Sequence, residues 1–178
     1  GVDLATSELF RWGIVRPVYL VEKGGAAEKG FHHYVYFNRD REKISESNFI
    51  DTEAFEGAQI KYTWRQLEHG RNGYDFDDIE HDLEYLKSKG KKLFIQIQDA
   101  SFDVSIMPVP KYLVDDPQYH GGADKQYEIK GDDEEHARPA GWVARRWDPV
   151  VRERFGKLLA ALGAKFDGRI EGINLPET

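Results

Sequence analysis

The chain has 178 residues, enough for one domain with a sizeable core, and its 25 Lys and Arg against 32 Asp and Glu leave a formal charge of -7. That balance disfavours a nucleic-acid partner, and with no polybasic run and no apolar stretch near the roughly 18 residues of a membrane span, no membrane partner is expected either. Zero cysteines exclude disulfides, thiolate metal sites and cysteine nucleophiles; they leave the compartment open, with a secreted or periplasmic one slightly favoured.

The first residues carry no charged and apolar leader, so a signal peptide is expected to be absent or already removed. Residues 15–21 read as a strand that Pro17 confines to an edge or a strand start, and 22–30, with Gly24-Gly25, read as a loop. Residues 33–38 alternate and are predicted to form the first inner strand, ending in Asn38. A parallel crossover over 39–56 calls for a full helix, yet Ile44, Phe49, Ile50 and Phe55 support only a short one.

Residues 58–64 put Gln59, Lys61 and Thr63 on one face and Ile60, Tyr62 and Trp64 on the other, the period of a strand. Trp64-Arg65-Gln66-Leu67-Glu68 leads into the Gly/Asn-rich turn His69-Gly70-Arg71-Asn72-Gly73. Asp75 is the predicted N-cap of a helix whose stripe is Phe76, Ile79, Leu83 and Leu86 and which Gly90 closes. Residues 93–98 resume period two, with Leu93, Ile95 and Ile97 opposite Phe94, Gln96 and Gln98. Gln96 and Gln98 would be costly to bury in an open sheet covered by helices on both faces. A barrel interior resolves this, because its open end admits polar side chains and water.

Residues 99–146 form a long connection holding Pro108, Pro110, Pro117, Pro139, the pair Gly121-Gly122 and an acidic run from Asp132 to Glu135. A compact domain rarely keeps so long a loop without a use; the plainer alternative is an ordered excursion filled by its own aromatics, with the charge run at a solvated tip. Asp148-Pro149 supplies an N-cap and a first-turn proline; Val151, Phe155, Leu158, Leu159 and Leu162 share one face, and Gly163 is predicted to end the helix. After a turn, residues 170–175 read as the next strand, finishing in Asn174-Leu175-Pro176-Glu177-Thr178. Four strands alternating with helices predict an α/β fold: one domain over 1–178 that is half of a parallel (β/α) barrel, with residues 99–146 inserted after the third strand. Four strands expose two edges, so a fragment whose second half supplies the rest is the expectation, and a symmetric pair of half-barrels the less favoured one.

The strand leading to Trp64-x-x-Leu67-Glu68, then Gly73-Tyr74-Asp75-Phe76, a helix, Gly90-Lys91-Lys92 and a strand with a polar tip resembles the amino-terminal half of a clan-A glycoside hydrolase. That is the (β/α)8 group that includes the family 42, 35 and 5 enzymes. The resemblance covers 57–99 through these motifs and 147–177 by position. It implies that the tip of the fourth strand carries the general acid/base, here Glu177. Family members usually place an asparagine immediately before that glutamate, whereas Asn174 stands three residues ahead. The second carboxylate would come from the seventh strand, on the remaining carboxy-terminal half, in the same gene product or a second chain.

The chemistry supports the same choice. A glycosidic oxygen leaves only when protonated, and a carboxylic acid in a partly dry pocket can hold its proton near neutral pH. The plain alternative for Glu177 is a helix cap. Asp99, at the third-strand tip, is a candidate for sugar hydroxyls or a neighbouring loop, and an inverting partner of Glu177 is conceivable. Lys61, Arg65, Gln96 and Gln98, with Asn174, offer donors and acceptors to hydroxyls, and 13% aromatic content makes stacking surfaces expected. Trp64, Trp142 and Trp147 can stack on the apolar face of a pyranose, with core packing the favoured alternative for Trp64 and Trp147. Arg145-Arg146 reads first as a solvated pair and second as a ligand for an acidic sugar. The 6 histidines fall into no metal-binding spacing, no phosphate-cradling or serine-elbow motif occurs, and no cofactor is expected. The expected activity is glycoside hydrolysis of an oligo- or polysaccharide. The alternative is a non-catalytic carbohydrate-binding barrel module, and a lyase or isomerase barrel is disfavoured by the missing metal cluster.

Overall fold

The computed structural model describes residues 32–129 and 137–176. The strand expected over 15–21, the acidic run and Glu177 lie outside them.

In chain order the elements are β1 (His33–Asn38), a 3-10 turn (Arg41–Ser45), α1 (Ser47–Ile50), β2 (Phe55–Thr63), α2 (Trp64–Leu67), β3 (Glu68–Gly70), β4 (Gly73–Tyr74), α3 (Asp77–Ser88) and β5 (Lys92–Gln98). Then follow β6 (Ala100–Ser101), α4 (Lys111–Asp115), a 3-10 turn (Pro117–Tyr119), β7 (Ala123–Glu128), β8 (Arg138–Ala144), α5 (Pro149–Phe166) and β9 (Gly172–Asn174). β1, β2, β5 and β9 pair in that order, all parallel, with helices packed on one face. This is a parallel four-stranded sheet consistent with half of a (β/α) barrel, carrying an inserted region after its third strand.

The outer face is apolar because the period-two pattern puts every aliphatic residue there. Ala58, Ile60 and Tyr62 of β2 and Leu93, Ile95 and Ile97 of β5 are fully buried, in one core with Ile79, Leu83 and Leu86 of α3 and Val151, Phe155, Leu158, Leu162 and Phe166 of α5. Each fully buried aliphatic side chain contributes about 1.5–3 kcal/mol, an upper figure because the unfolded chain already hides part of that surface.

The inner face is built differently. Tyr34 of β1 and Phe94 of β5 meet edge to face at 6.1 Å. The neighbouring strands contribute glycines at this level. A Cβ on Gly57 would lie 2.7 Å from the Tyr34 ring, and one on Gly172 2.9 Å from the Phe94 ring. One layer up, Tyr36 of β1 reaches Gln96 of β5, which is registered with Lys61 of β2 and Asn174 of β9. Side chains from alternate strands filling successive layers are the packing of a barrel interior.

Two buried ionic networks fasten the surrounding pieces. Asp82 of α3 takes both Nε (2.6 Å) and Nη2 (3.0 Å) of Arg41 and the Tyr62 hydroxyl at 2.6 Å. Burial first, and then the Asp82 charge, push the Tyr62 phenol well above its ordinary pKa. Glu68 receives Arg154 Nη2, the Tyr112 hydroxyl (3.1 Å), the Asn72 amide (3.0 Å) and Trp64 Nε1 (2.8 Å). It thereby joins α2, the β3–β4 turn, α4 and α5.

Several local expectations are corrected. Trp64 begins α2 instead of ending β2, because the Thr63 hydroxyl accepts the Gln66 amide at 3.1 Å and turns the chain. Asp75 stands one residue before the N-cap of α3, which is Phe76, and its Oδ1 accepts the Asp77 amide at 3.1 Å. Gly163 does not end α5. The apolar stripe continues to fully buried Phe166, which outweighs the ~1 kcal/mol helix cost of a glycine, and the turn falls at Gly168 with φ 71°. The inserted region is ordered over its described residues: β6, β8 and β7 form an antiparallel sheet.

Candidate functional site

The polar residues of the inner wall converge toward the C-terminal ends of the parallel strands. Lys61 is registered with Gln96, and Gln96 with Asn174, so three of the expected sugar-contacting residues form one row across β2, β5 and β9. Tyr36 leans over that row. Its hydroxyl donates to Gln96 Oε1 at 3.0 Å, and its ring lies under the Lys61 ammonium, 5.6 Å from the centroid. Tyr36 is 49% exposed, so the row opens to solvent. Sequence reasoning assigned no role to Tyr36, although the alternation over 33–38 already put it on the face it shares with Tyr34.

Gln98, one step further along β5, is buried, and its Oε1 has no hydrogen-bond partner among the described residues. Asp99 follows it and is fully buried. Arg146 Nε approaches Asp99 Oδ2 to 2.8 Å, but out of line, so neither carboxyl oxygen accepts a hydrogen bond among the described residues. Burial pushes the Asp99 carboxyl above its ordinary pKa, and the Arg146 charge only partly opposes this. A sugar hydroxyl reaches Asp99 only if the strand tip opens.

Two other expected contacts serve the inserted region. Arg65 donates from Nε to the Val109 carbonyl at 2.9 Å, and its amide donates to the Pro108 carbonyl at 2.7 Å, fastening the insertion to the corner after β2. Trp142 sits on β8 opposite Ser101 and Lys125, with Nε1 donating to the Val104 carbonyl at 2.9 Å and the Lys125 ammonium 5.6 Å from its ring centroid. Trp64 is fully buried as expected, whereas Trp147 is 60% exposed, a correction. Trp147 lies between Arg146, drawn to Asp99, and Asp148, the α5 cap, and these anchors fix the backbone with the indole outward. Arg145 is a paired residue: it bonds Asp124 Oδ1 at 2.7 Å and the His120 carbonyl at 2.6 Å.

The site therefore consists of a registered row, Lys61, Gln96 and Asn174, with Tyr36 across it, and a separate buried Asp99–Arg146 contact beyond the β5 tip. Glu177 follows Asn174 by three positions in the sequence and lies outside the described residues. Among the described residues no three His, Asp or Glu side chains are grouped as metal ligands.

No family model matches the sequence, and no curated protein matches it significantly. Among solved structures the chain is similar to the catalytic domain of a β-amylase from Paenibacillus polymyxa, with a TM-score of 0.58 and 14% identity over 81% of this chain and 36% of that one. It is also similar to a β-galactosidase from the psychrophilic Marinomonas ef1, with a TM-score of 0.48 and 13% identity over 82% of this chain and 21% of that one. The chain thus spans about a third of the first structure's length and about a fifth of the second's. The β-amylase likeness is one of fold, a distant resemblance of this partial parallel barrel to a glycoside-hydrolase fold.

Proposed function

We propose that this chain is the amino-terminal half of a (β/α)8-barrel glycoside hydrolase that cleaves an oligo- or polysaccharide. In this reading Glu177 is the general acid/base, and the nucleophile comes from the remaining carboxy-terminal half-barrel. A polymer substrate favours a secreted or periplasmic enzyme. The observation that carries the reading is the polar inner row. A parallel sheet ordinarily buries apolar residues on both faces, and Lys61, Gln96 and Asn174 on one of them require a wall that faces water or a hydroxyl-rich ligand. The row lies next to the strand ends where barrel enzymes build their sites, three residues before Glu177.

In the proposed reaction Glu177 protonates the departing glycosidic oxygen while a second carboxylate meets the sugar carbon. Glu177 then takes the proton from the incoming water. The amides of Gln96 and Asn174 and the Lys61 ammonium would orient the ring through its hydroxyls.

A second reading, a carbohydrate-binding half-barrel without hydrolysis, is favoured by one observation. Among the described residues no carboxylate stands on the upper wall, and the nearest candidate, Asp99, is buried against Arg146. Replacing Glu177→Gln in the whole protein separates the two. A hydrolase is expected to lose reducing-sugar release by about a hundredfold or more while keeping its oligosaccharide affinity. Turnover unchanged by the substitution would refute the assignment of Glu177, and sugar binding with no turnover before or after it would establish the binding module.

A further inference from the structure

Lys61 is the one charged side chain on the described wall above the rim where Glu171 meets Lys92 and the Tyr34 hydroxyl. The other polar positions in its neighbourhood, Tyr36, Gln59, Gln96 and Asn174, are neutral. Among the described residues its ammonium has no carboxylate within 4.0 Å, in contrast to Arg41, Arg145, Arg154 and Arg169, each of which holds an acidic partner. With no carboxylate beside it among the described residues, this partly buried cation is available to an anionic group of a ligand.

The neighbours of Lys61 are arranged to present it. Tyr36 supports the ammonium from below by its ring face and is itself held by its bond to Gln96 Oε1. With that oxygen engaged, the Gln96 Nε2 amide retains its two N–H donors, and the Asn174 amide lies next in register. An ammonium beside amide N–H groups is a donor set for a carboxylate. A neutral sugar would leave the charge uncompensated.

From this we propose that Lys61 is a specificity-determining residue for a carboxylate on the substrate, so that the saccharide this wall accepts contains uronic-acid units. The inference rests on the carbohydrate reading above and names its substrate class. A sugar carboxylate would bridge the Lys61 ammonium and the Gln96 amide, with its ring over the Tyr36 hydroxyl.

The test is equilibrium binding of the full chain to tetramers of galacturonate, mannuronate and glucose, at low and high salt. At least one uronate tetramer is expected to bind about tenfold or more tighter than the glucose tetramer, with the advantage shrinking at high salt. Lys61→Gln is expected to remove the advantage, lowering uronate affinity about tenfold more than neutral-sugar affinity, and Lys61→Arg to keep most of it. Equal affinity for charged and neutral tetramers, or a uronate preference surviving in Lys61→Gln, would overturn this inference while leaving the carbohydrate reading in place. Binding of none of the tetramers would overturn this inference too, and the Glu177→Gln assay then decides the carbohydrate reading.

Discussion

Asp99 is a carboxylate kept from water without a hydrogen bond in return. Its raised pKa means that between the unfolded value, near ~3.9, and the folded one the native chain binds more protons than the unfolded chain. Stability from this group is therefore highest in acid, falls as pH rises through that window by at most about 1.4 kcal/mol per unit, and levels off above the folded value. Asp99→Asn should flatten that part of the profile and unfold no more easily than the parent at pH 7, because Arg146 is exposed enough for water to solvate it. Urea titrations from pH 4 to 8 read this directly, and an unaltered slope in the variant would refute it. Much at this scale was legible in the sequence. Period-two alternation alone separated Leu93, Ile95 and Ile97 from Phe94 and Gln96, and it put Lys61 on the polar face. The environment of Asp99 was not legible, since residues 144–146, which enclose it, come from the far end of the insertion. Trp147 was misjudged for a similar reason: an indole's hydrophobicity favours burial, but the flanking Arg146 and Asp148 were already committed to partners.

At the scale of elements, α5 is held by more than its apolar stripe. Arg154 is nearly buried, and although burial works against its charge, its hydrogen bonds to Tyr112 and Glu68 more than offset this and raise its pKa. Arg154→Met should destabilise the fold by about 3–5 kcal/mol, because Glu68 is then a buried charge without a counterion. The double variant Arg154→Met with Glu68→Gln should recover a substantial part of that loss. Chemical denaturation of the single and double variants measures both, and additive losses would show that the two residues act independently. The long helices α3 and α5 were readable because a stripe repeated over three or more turns leaves one solution. Short α2 was not, since Trp64 continues the alternation of β2 and only the Thr63 cap reveals the turn. The three-stranded sheet of the insertion escaped for another reason: the β6–β8 ladder joins Ala100 to Val143 and Ser101 to Trp142, far apart in sequence, and Pro139 inside β8 speaks against a strand on local grounds.

At the scale of the whole molecule, β1 and β9 are the outer strands of the described sheet, and each has one side unpaired there. A polar inner wall with two open edges is the surface on which a complementary half-barrel would complete itself. The chain on its own is accordingly expected to associate with rising concentration, and to do so less once a carboxy-terminal half is supplied. Sedimentation equilibrium across a concentration series gives the answer, and a strict monomer indifferent to the second half would count against barrel completion. The strand order and the parallel direction followed from the alternation of strands and helices; the extent of the barrel did not, because strand count is a property of closure and not of any local segment. The contact of Phe94 with Gly172 carries a last consequence, whereas Gly57 is kept small by the Lys92 carbonyl oxygen as well as by Tyr34. Volume at this level belongs to the strand pair, so neither member can grow unless the other shrinks. A lineage drifting within this architecture would change the two positions in concert, bulk migrating from one strand to the next while their sum stays fixed.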